Sequence, residues 1–280
     1  MVKSGISRNY GQLQFTLAVL LGLFITAAIF TTFPKIDLWI ASLFAAANGG
    51  FPLWENPFLI LLGAFYKVLF ILISSIAAIM LLLNFRIRPN LKIPVQIWAF
   101  ICTIFLLGPG LLVNVILKDN WGRARPAHIH NFGGSAQFTP PLLVTDECNH
   151  NCSFVSGEGS AIFSVMIVLV VLLWRAFPDR RRPLVVGATL LSVVGACLRI
   201  ANGRHFLSDT LFAALFSALI ILGLYSVFTI HKHRRAVSLR TLQHDYTSVC
   251  RYVLSVKVQP NLRLDVQAVW ARLSHVMKRI

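Results

Sequence analysis

Long apolar runs alternate with short, basic polar segments along most of this chain. Six runs approach or exceed the roughly 20 residues an α-helix needs to cross a bilayer: about 13–33, 60–84, 94–117, 155–175, 184–203 and 206–229. The pattern predicts an all-α, polytopic membrane protein with six transmembrane helices. Lys67 and Gly108-Pro109-Gly110 lie inside the second and third runs. A proline there is tolerated where neighbouring helices satisfy the carbonyl it frees. A shorter apolar stretch, 38–47, has Trp39 within it and Trp54 nearby, and reads as an interfacial segment rather than a span. Lys3 and Arg8 precede the first run as they would in a signal peptide, but its length is that of an uncleaved span. The chain has no internal repeat and no low-complexity tract.

Charge refines this picture. Of 280 residues, 56% are hydrophobic and only 13% charged, yet the net charge is +16. A soluble domain has roughly 25% charged residues. Beside long apolar runs, a basic surplus fits anionic lipid headgroups and the membrane surface rather than nucleic acid. Cations crowd the loops at 84–92 and 175–182 and the tail from Lys232. The positive-inside rule then makes both termini cytoplasmic. Residues 1–230 form the six-helix domain and 231–280 a basic cytoplasmic tail. In that tail, apolar positions from Leu262 to Ile280 recur at helical spacing opposite Arg272, Lys278 and Arg279. This predicts an amphipathic helix that lies on the anionic leaflet, packs on the bundle or forms a dimer contact. Lys118, Arg123, Arg125, Arg199 and Arg204 fall on the opposite side, against the charge rule, and point to a site.

Three polar segments there carry the chemistry. The first, 118–126, holds Lys118, Arg125 and Pro126. The two cations are seven residues apart, so on a helix they would share a face. An arginine fork suits bidentate contact with phosphate oxygens, and lysine adds a point charge. In the second, Ser156-Gly157 opens the fourth span, where free amides make an anion site. Asn151 or Ser153 as simple caps is the alternative. The third places His205 four residues before Asp209. On a helix the carboxylate can accept from one imidazole nitrogen and leave the other to attack phosphorus. Arg199 lies just before, and the turn at Asn202-Gly203 folds it back. Cys148 and Cys152 flank 149–151 in the long outer loop and read as a small disulfide pinning the second segment, ahead of a Cys/His metal site. Cys102, Cys197 and Cys250 read as ordinary thiols.

These segments resemble the signature of the type 2 phosphatidic acid phosphatase superfamily: K-x6-R-P, P-S-G-H and S-R-x5-H-x3-D. The first matches at Lys118, Arg125 and Pro126. The third matches at Arg199, His205 and Asp209, with Leu198 in place of serine. The second keeps Ser156 and Gly157 but has Val155 for proline and Glu158 for histidine. The resemblance implies that His205 attacks phosphorus to give a phosphohistidine, with Asp209 orienting it. It implies that Lys118, Arg125, Arg199, Ser156 and Gly157 hold the phosphate, with no metal and no cofactor. The family histidine protonates the leaving oxygen, so Glu158 is the expected acid. His128, His130, His150, or a leaving group that needs little help are the alternatives. The implied function is a lipid phosphatase of a bacterial inner membrane, with its active site facing the periplasm and an anionic phospholipid or saccharolipid as substrate. The long outer loop and the glutamate look most like the lipid A phosphatase branch. Phosphatidic acid, phosphatidylglycerol phosphate and undecaprenyl pyrophosphate are the other substrates, and a lipid phosphotransferase has the same motifs. A non-catalytic lipid-binding or transport protein is the competing class.

Overall fold

The computed structural model describes residues 2–87 and 91–258. The helix expected at 262–280 lies outside the described residues. The long helices are α1 (Val2–Thr32), α3 (Pro57–Ile87), α4 (Val95–Asn120), α5 (Gly157–Ala176), α6 (Arg181–Ala201) and α7 (Leu207–Val227). Each is long and apolar enough to cross a membrane. Between α1 and α3 runs the short α2 (Lys35–Ser42), and α8 (Leu239–Val258) follows α7 after two short helical turns, Ile230–His233 and Arg234–Ala236. Among the described residues there is no strand beyond one isolated bridge, Ile129 to Ala136.

α5 is central. It packs against α6 and α7, while α3 lies on α4 and α1 on α7. The core joins Phe100, Ile101 and Ile104 of α4 to Val165 and Val168 of α5 and Ile221 of α7. The outer faces stay apolar, with Phe24, Phe58, Leu61, Ile71 and Leu190 exposed, as lipid contact requires. Small residues let α5 and α7 approach closely at one end. Ser160 and Ser217 hydroxyls are 2.9 Å apart there, and Gly159 leaves room for only about a methyl group before Ala213. The starts of α5 and α7 therefore lie side by side, which brings the second and third segments together.

α4 is not a regular α-helix. From Leu106 to Leu117 its hydrogen bonds run in the wider π register. Pro109 lacks an amide and would clash with the carbonyl four residues back, so the helix widens rather than breaks. The Asn114 side-chain amide donates to the Pro109 carbonyl at 2.7 Å, an additional bond within α4. At the other end of the bundle, buried Asp245 of α8 accepts from the Lys92 and Ile93 amides at 2.8 and 2.9 Å. Ile230 and Val237 join the core, so the segment after residue 230 is docked on the bundle.

Candidate active site

The three segments meet where α4 ends and α5 and α7 begin. Lys118 opens the last turn of α4, but Arg125 does not share a helix face with it. The helix stops at Asn120, and Gly122, at φ +69, turns the chain into an extended strand-like run. Convergence comes through the outer loop instead. Lys118 Nζ lies 3.1 Å from the Asn151 Oδ1, and Arg125 Nη2 donates to the Asn151 carbonyl at 2.7 Å. Asn151 has φ +51, a conformation asparagine tolerates better than most residues. Cys148 and Cys152 are joined as a disulfide around this residue, with Cα atoms 5.6 Å apart.

Ser156, not Asn151 or Ser153, is the cap of α5. Its hydroxyl accepts from the Gly159 amide at 3.1 Å. Among the described residues the Gly157 and Glu158 amides donate to nothing, as expected for the open first turn of a helix. Gly157 is needed for space: a Cβ there would come within 2.7 Å of the Asn114 Oδ1 and 3.2 Å of Lys118 Nζ. The third segment turns at Gly203, φ +63, where a side chain would drive into the Phe51 ring. The Arg204 and His205 amides both donate back to the Arg199 carbonyl, and the Ala127 amide donates to the Gly203 carbonyl at 3.0 Å. The first and third segments are thereby tied together.

His205 is buried, and its Nδ1 is 2.8 Å from the Ser153 carbonyl oxygen. A carbonyl only accepts, so Nδ1 carries the proton and Nε2 keeps its lone pair. This differs from the expected direct pairing with Asp209, whose Oδ2 lies 3.8 Å from Nδ1. The carboxylate is engaged elsewhere. It accepts from the Ser153 hydroxyl at 2.5 Å, the Phe206 amide at 2.9 Å and Arg123 Nη1 at 2.5 Å. Asp209 sits in the first turn of α7, where capping its own helix competes with the ring. It therefore acts on His205 through charge and through Ser153.

Arg123 and Asp37 are the residues that sequence reasoning left without a role. Arg123 is fully buried and bridges two carboxylates, with Nη2 2.8 Å from Asp37 and Nη1 on Asp209. It also donates to the Ser208 hydroxyl and the Thr139 carbonyl, and its guanidinium lies 4.3 Å from the Phe206 ring centroid. Asp37 accepts from the Ser208 amide and hydroxyl. Burial pushes the Asp37 carboxyl above its usual range, against the pull of Arg123 and with the repulsion of Asp209. The available signal was a lone carboxylate immediately before the apolar stretch 38–47. Trp39 of α2 is exposed, while Asp37 is buried.

Lys118 and Arg199 lie near His205, with Arg125 and Arg204 beside them. The Arg204 guanidinium lies 3.8 Å over Trp54. Burial, then Arg204 and Arg199, lower the Arg125 pKa. A bound anion would offset the mutual repulsion of these cations. Glu158 Oε2 forms a close ion pair with Arg199 Nη1, and Glu158 Oε1 lies 3.7 Å from Lys67 Nζ of α3. Arg199 Nε is buried without a hydrogen-bond partner. His128, His130 and His150 are exposed on the outer loop, and His150 pairs with Asp119 at 3.2 Å. Among the described residues no three His, Cys, Asp or Glu side chains gather as a metal set.

A neutral imidazole beside a cluster of cations suits phosphoryl transfer, and comparison with known proteins points to phosphatases. The family model of the PAP2 superfamily matches residues 96–232. A lipid A 4'-phosphatase of Francisella tularensis subsp. novicida (strain U112) is 32% identical over 211 residues, covering 71% of this chain and 90% of that protein. This chain belongs to the PAP2 superfamily. A second PAP2 relative, a lipid A 4'-phosphatase of Rhizobium etli, is 30% identical over 227 residues, covering 74% of this chain and 85% of its own length. The PAP2 fold is also seen in the crystal structure of a transmembrane phosphatidylglycerolphosphate phosphatase from Bacillus subtilis. It superposes with a TM-score of 0.50 at 19% identity, over 76% of this chain and 94% of that one.

Proposed function

We propose that this PAP2 phosphatase removes a phosphate monoester from lipid A at the periplasmic face of a bacterial inner membrane, through a phosphohistidine on His205. The observation that carries the chemistry is His205 itself: Nδ1 is occupied by the Ser153 carbonyl at 2.8 Å, so Nε2 is the atom free to attack. Similarity to two lipid A 4'-phosphatases over most of the chain supports the substrate. The wrong-side cations, and the basic loops opposite them, support the periplasmic orientation with both termini in the cytoplasm.

In this mechanism Lys118, Arg125 and Arg199 grip the phosphoryl oxygens, with the Ser156-Gly157 start of α5 beside them. A transferring phosphoryl group spreads charge over those oxygens, so positioned cations stabilise it more than they stabilise the ground state. Nε2 forms the N–P bond as the ester P–O bond breaks. The imidazole becomes cationic, and Asp209, 3.8 Å away, offsets that charge. Water then displaces the histidine and inorganic phosphate leaves.

The test is phosphate release by purified protein from lipid A, phosphatidic acid, phosphatidylglycerol phosphate and undecaprenyl pyrophosphate, each compared with His205→Ala. Release should be fastest from lipid A and fall by several orders of magnitude in the variant. Preference for another lipid would reject the substrate. Equal release by both proteins would reject the nucleophile.

A further inference from the structure

Lys67 is the only charged residue between Pro57 and Phe85, within a membrane-spanning helix. It lies ten residues, roughly 15 Å, along the helix from Pro57. A charge inside a span is costly and marks a functional position with a nameable partner. That partner is Glu158, the residue that stands in place of the family's histidine. Lys67 Nζ is 3.7 Å from Glu158 Oε1, while Oε2 of the same carboxylate pairs with Arg199. α3 is fixed against α6 at this level. The Tyr66 hydroxyl donates to the Leu191 carbonyl at 2.7 Å, and Gly63 faces Leu198. The Lys67 side chain is 64% exposed, and Leu61, Val68 and Ile71 around it are exposed too. It therefore stands at the lipid-facing edge of the site.

The position suits one step of the reaction. Arg199, Lys118 and Arg125 hold the phosphoryl group, so its ester oxygen faces away from them, toward the body of the lipid. That body lies in the bilayer, on the side Lys67 occupies. A sugar or alkyl alkoxide is a poor leaving group and needs a proton as the bond breaks. Glu158, engaged as the anion of two ion pairs, has none to give, whereas an ammonium does. The outer-loop histidines serve less well. Partial desolvation, then Arg125 and Arg204, push the His128 pKa down, which favours its neutral form. His150 is exposed and paired with Asp119.

We propose that Lys67 is the proton donor to the leaving ester oxygen, and that Glu158 is a positioning residue that aims its ammonium. The proposal rests on the phosphohistidine reading above. In the first half-reaction His205 Nε2 bonds to phosphorus and the ester P–O bond breaks. The departing oxygen takes a proton from Lys67 Nζ, giving the lipid alcohol and a neutral amine. In the second half-reaction water attacks phosphorus, its proton passes to that amine, and the N–P bond breaks. Phosphate, imidazole and ammonium result.

Leaving-group dependence tests this on the full-length protein in detergent. The probes are lipid A in mixed micelles and 4-nitrophenyl phosphate, whose phenolate departs without a proton. Lys67→Met should lower kcat on lipid A by about 10²–10⁴-fold, at least roughly thirtyfold more than on 4-nitrophenyl phosphate. A second comparison uses lipid A alone. Glu158→His installs the family's own donor, so adding Lys67→Met to it should cost no more than about a tenth of what it costs in the natural chain. The assignment is overturned by unchanged lipid A turnover in Lys67→Met, by equal losses on the two substrates, or by equal costs in the two backgrounds. His205→Ala run alongside separates this outcome from failure of the nucleophile, since only the latter leaves phosphate release intact in that variant.

Discussion

The nucleophile proposed for this reaction, His205, must be neutral to attack, and burial favours that form. Removal from water pushes its pKa down to about 4; Asp209 opposes this, and Arg199 and Lys118 reinforce it. A lowered value favours the neutral ring, so His205 stays neutral well below pH 6.5. Diethyl pyrocarbonate reacts with neutral imidazole, and its rate at His205, followed by peptide mass spectrometry with His205→Ala as reference, reports this directly. Between pH 7 and 5 the rate should fall by only about a tenth, where an ordinary imidazole would lose about nine-tenths or more. A steep fall centred near 6.5 would contradict the buried, neutral ring. The sequence already singled out His205, because its side chain and its spacing from Asp209 carry the chemistry. Its actual hydrogen-bond partner was not legible there. A backbone carbonyl has no residue signature, and Ser153 was read only as a possible cap. Glu158 was visible as a departure from the family pattern, while its two cationic partners come from α3 and α6, which no local spacing joins.

Among the elements, α2 matters out of proportion to its eight residues. Its apolar stretch predicted an interfacial segment. The prediction did not say which side would be buried, because one turn of helix in either direction gives a similar composition. Asp37 decides it by reaching Arg123. Breaking a buried ion pair by removing one partner leaves a charge uncompensated and costs roughly 3–5 kcal/mol. Asp37→Ala should therefore destabilise the protein by about that much in denaturant unfolding in detergent. Adding Arg123→Met should restore part of the loss rather than double it, since both changes remove the same interaction. Simple additivity would show that the pair is not coupled. Activity in Asp37→Ala should fall with stability, because Arg123 is also the anchor of Asp209. The same scale explains the two local readings that changed. Lys118 and Arg125 suited one helix face by count, yet a glycine with positive φ lies between them. Pro109 was visible as an interruption, but only the three-dimensional chain reveals that α4 absorbs it by widening.

For the whole molecule, six apolar runs sufficed to read the architecture, because a bilayer demands long, closed hydrogen-bonded helices and little else is compatible with it. Helix ends agree with the runs to within a few residues at most boundaries, and the fifth span, which begins at Pro178 rather than 184, extends furthest beyond its run. The side on which the site lies is a matter of charge. Thiol labelling examines it in a chain with Cys102, Cys197 and Cys250 replaced by alanine. A cysteine in place of exposed His130 should react with an impermeant maleimide added to intact spheroplasts. One in place of exposed Lys232 should react only after lysis. The reverse pattern would invert the topology and place the site in the cytoplasm.

The bridge from Asp37 through Arg123 to Asp209 has a consequence for engineering. Neither Asp37 nor Arg123 is among the residues that define the three signature segments, and Asp37 lies more than eighty residues before the first arginine it holds. Transplanting the signature residues alone onto another six-helix scaffold would carry over the nucleophile and the phosphate ligands but not the brace behind them. The smallest transferable unit of this chemistry includes the interfacial helix.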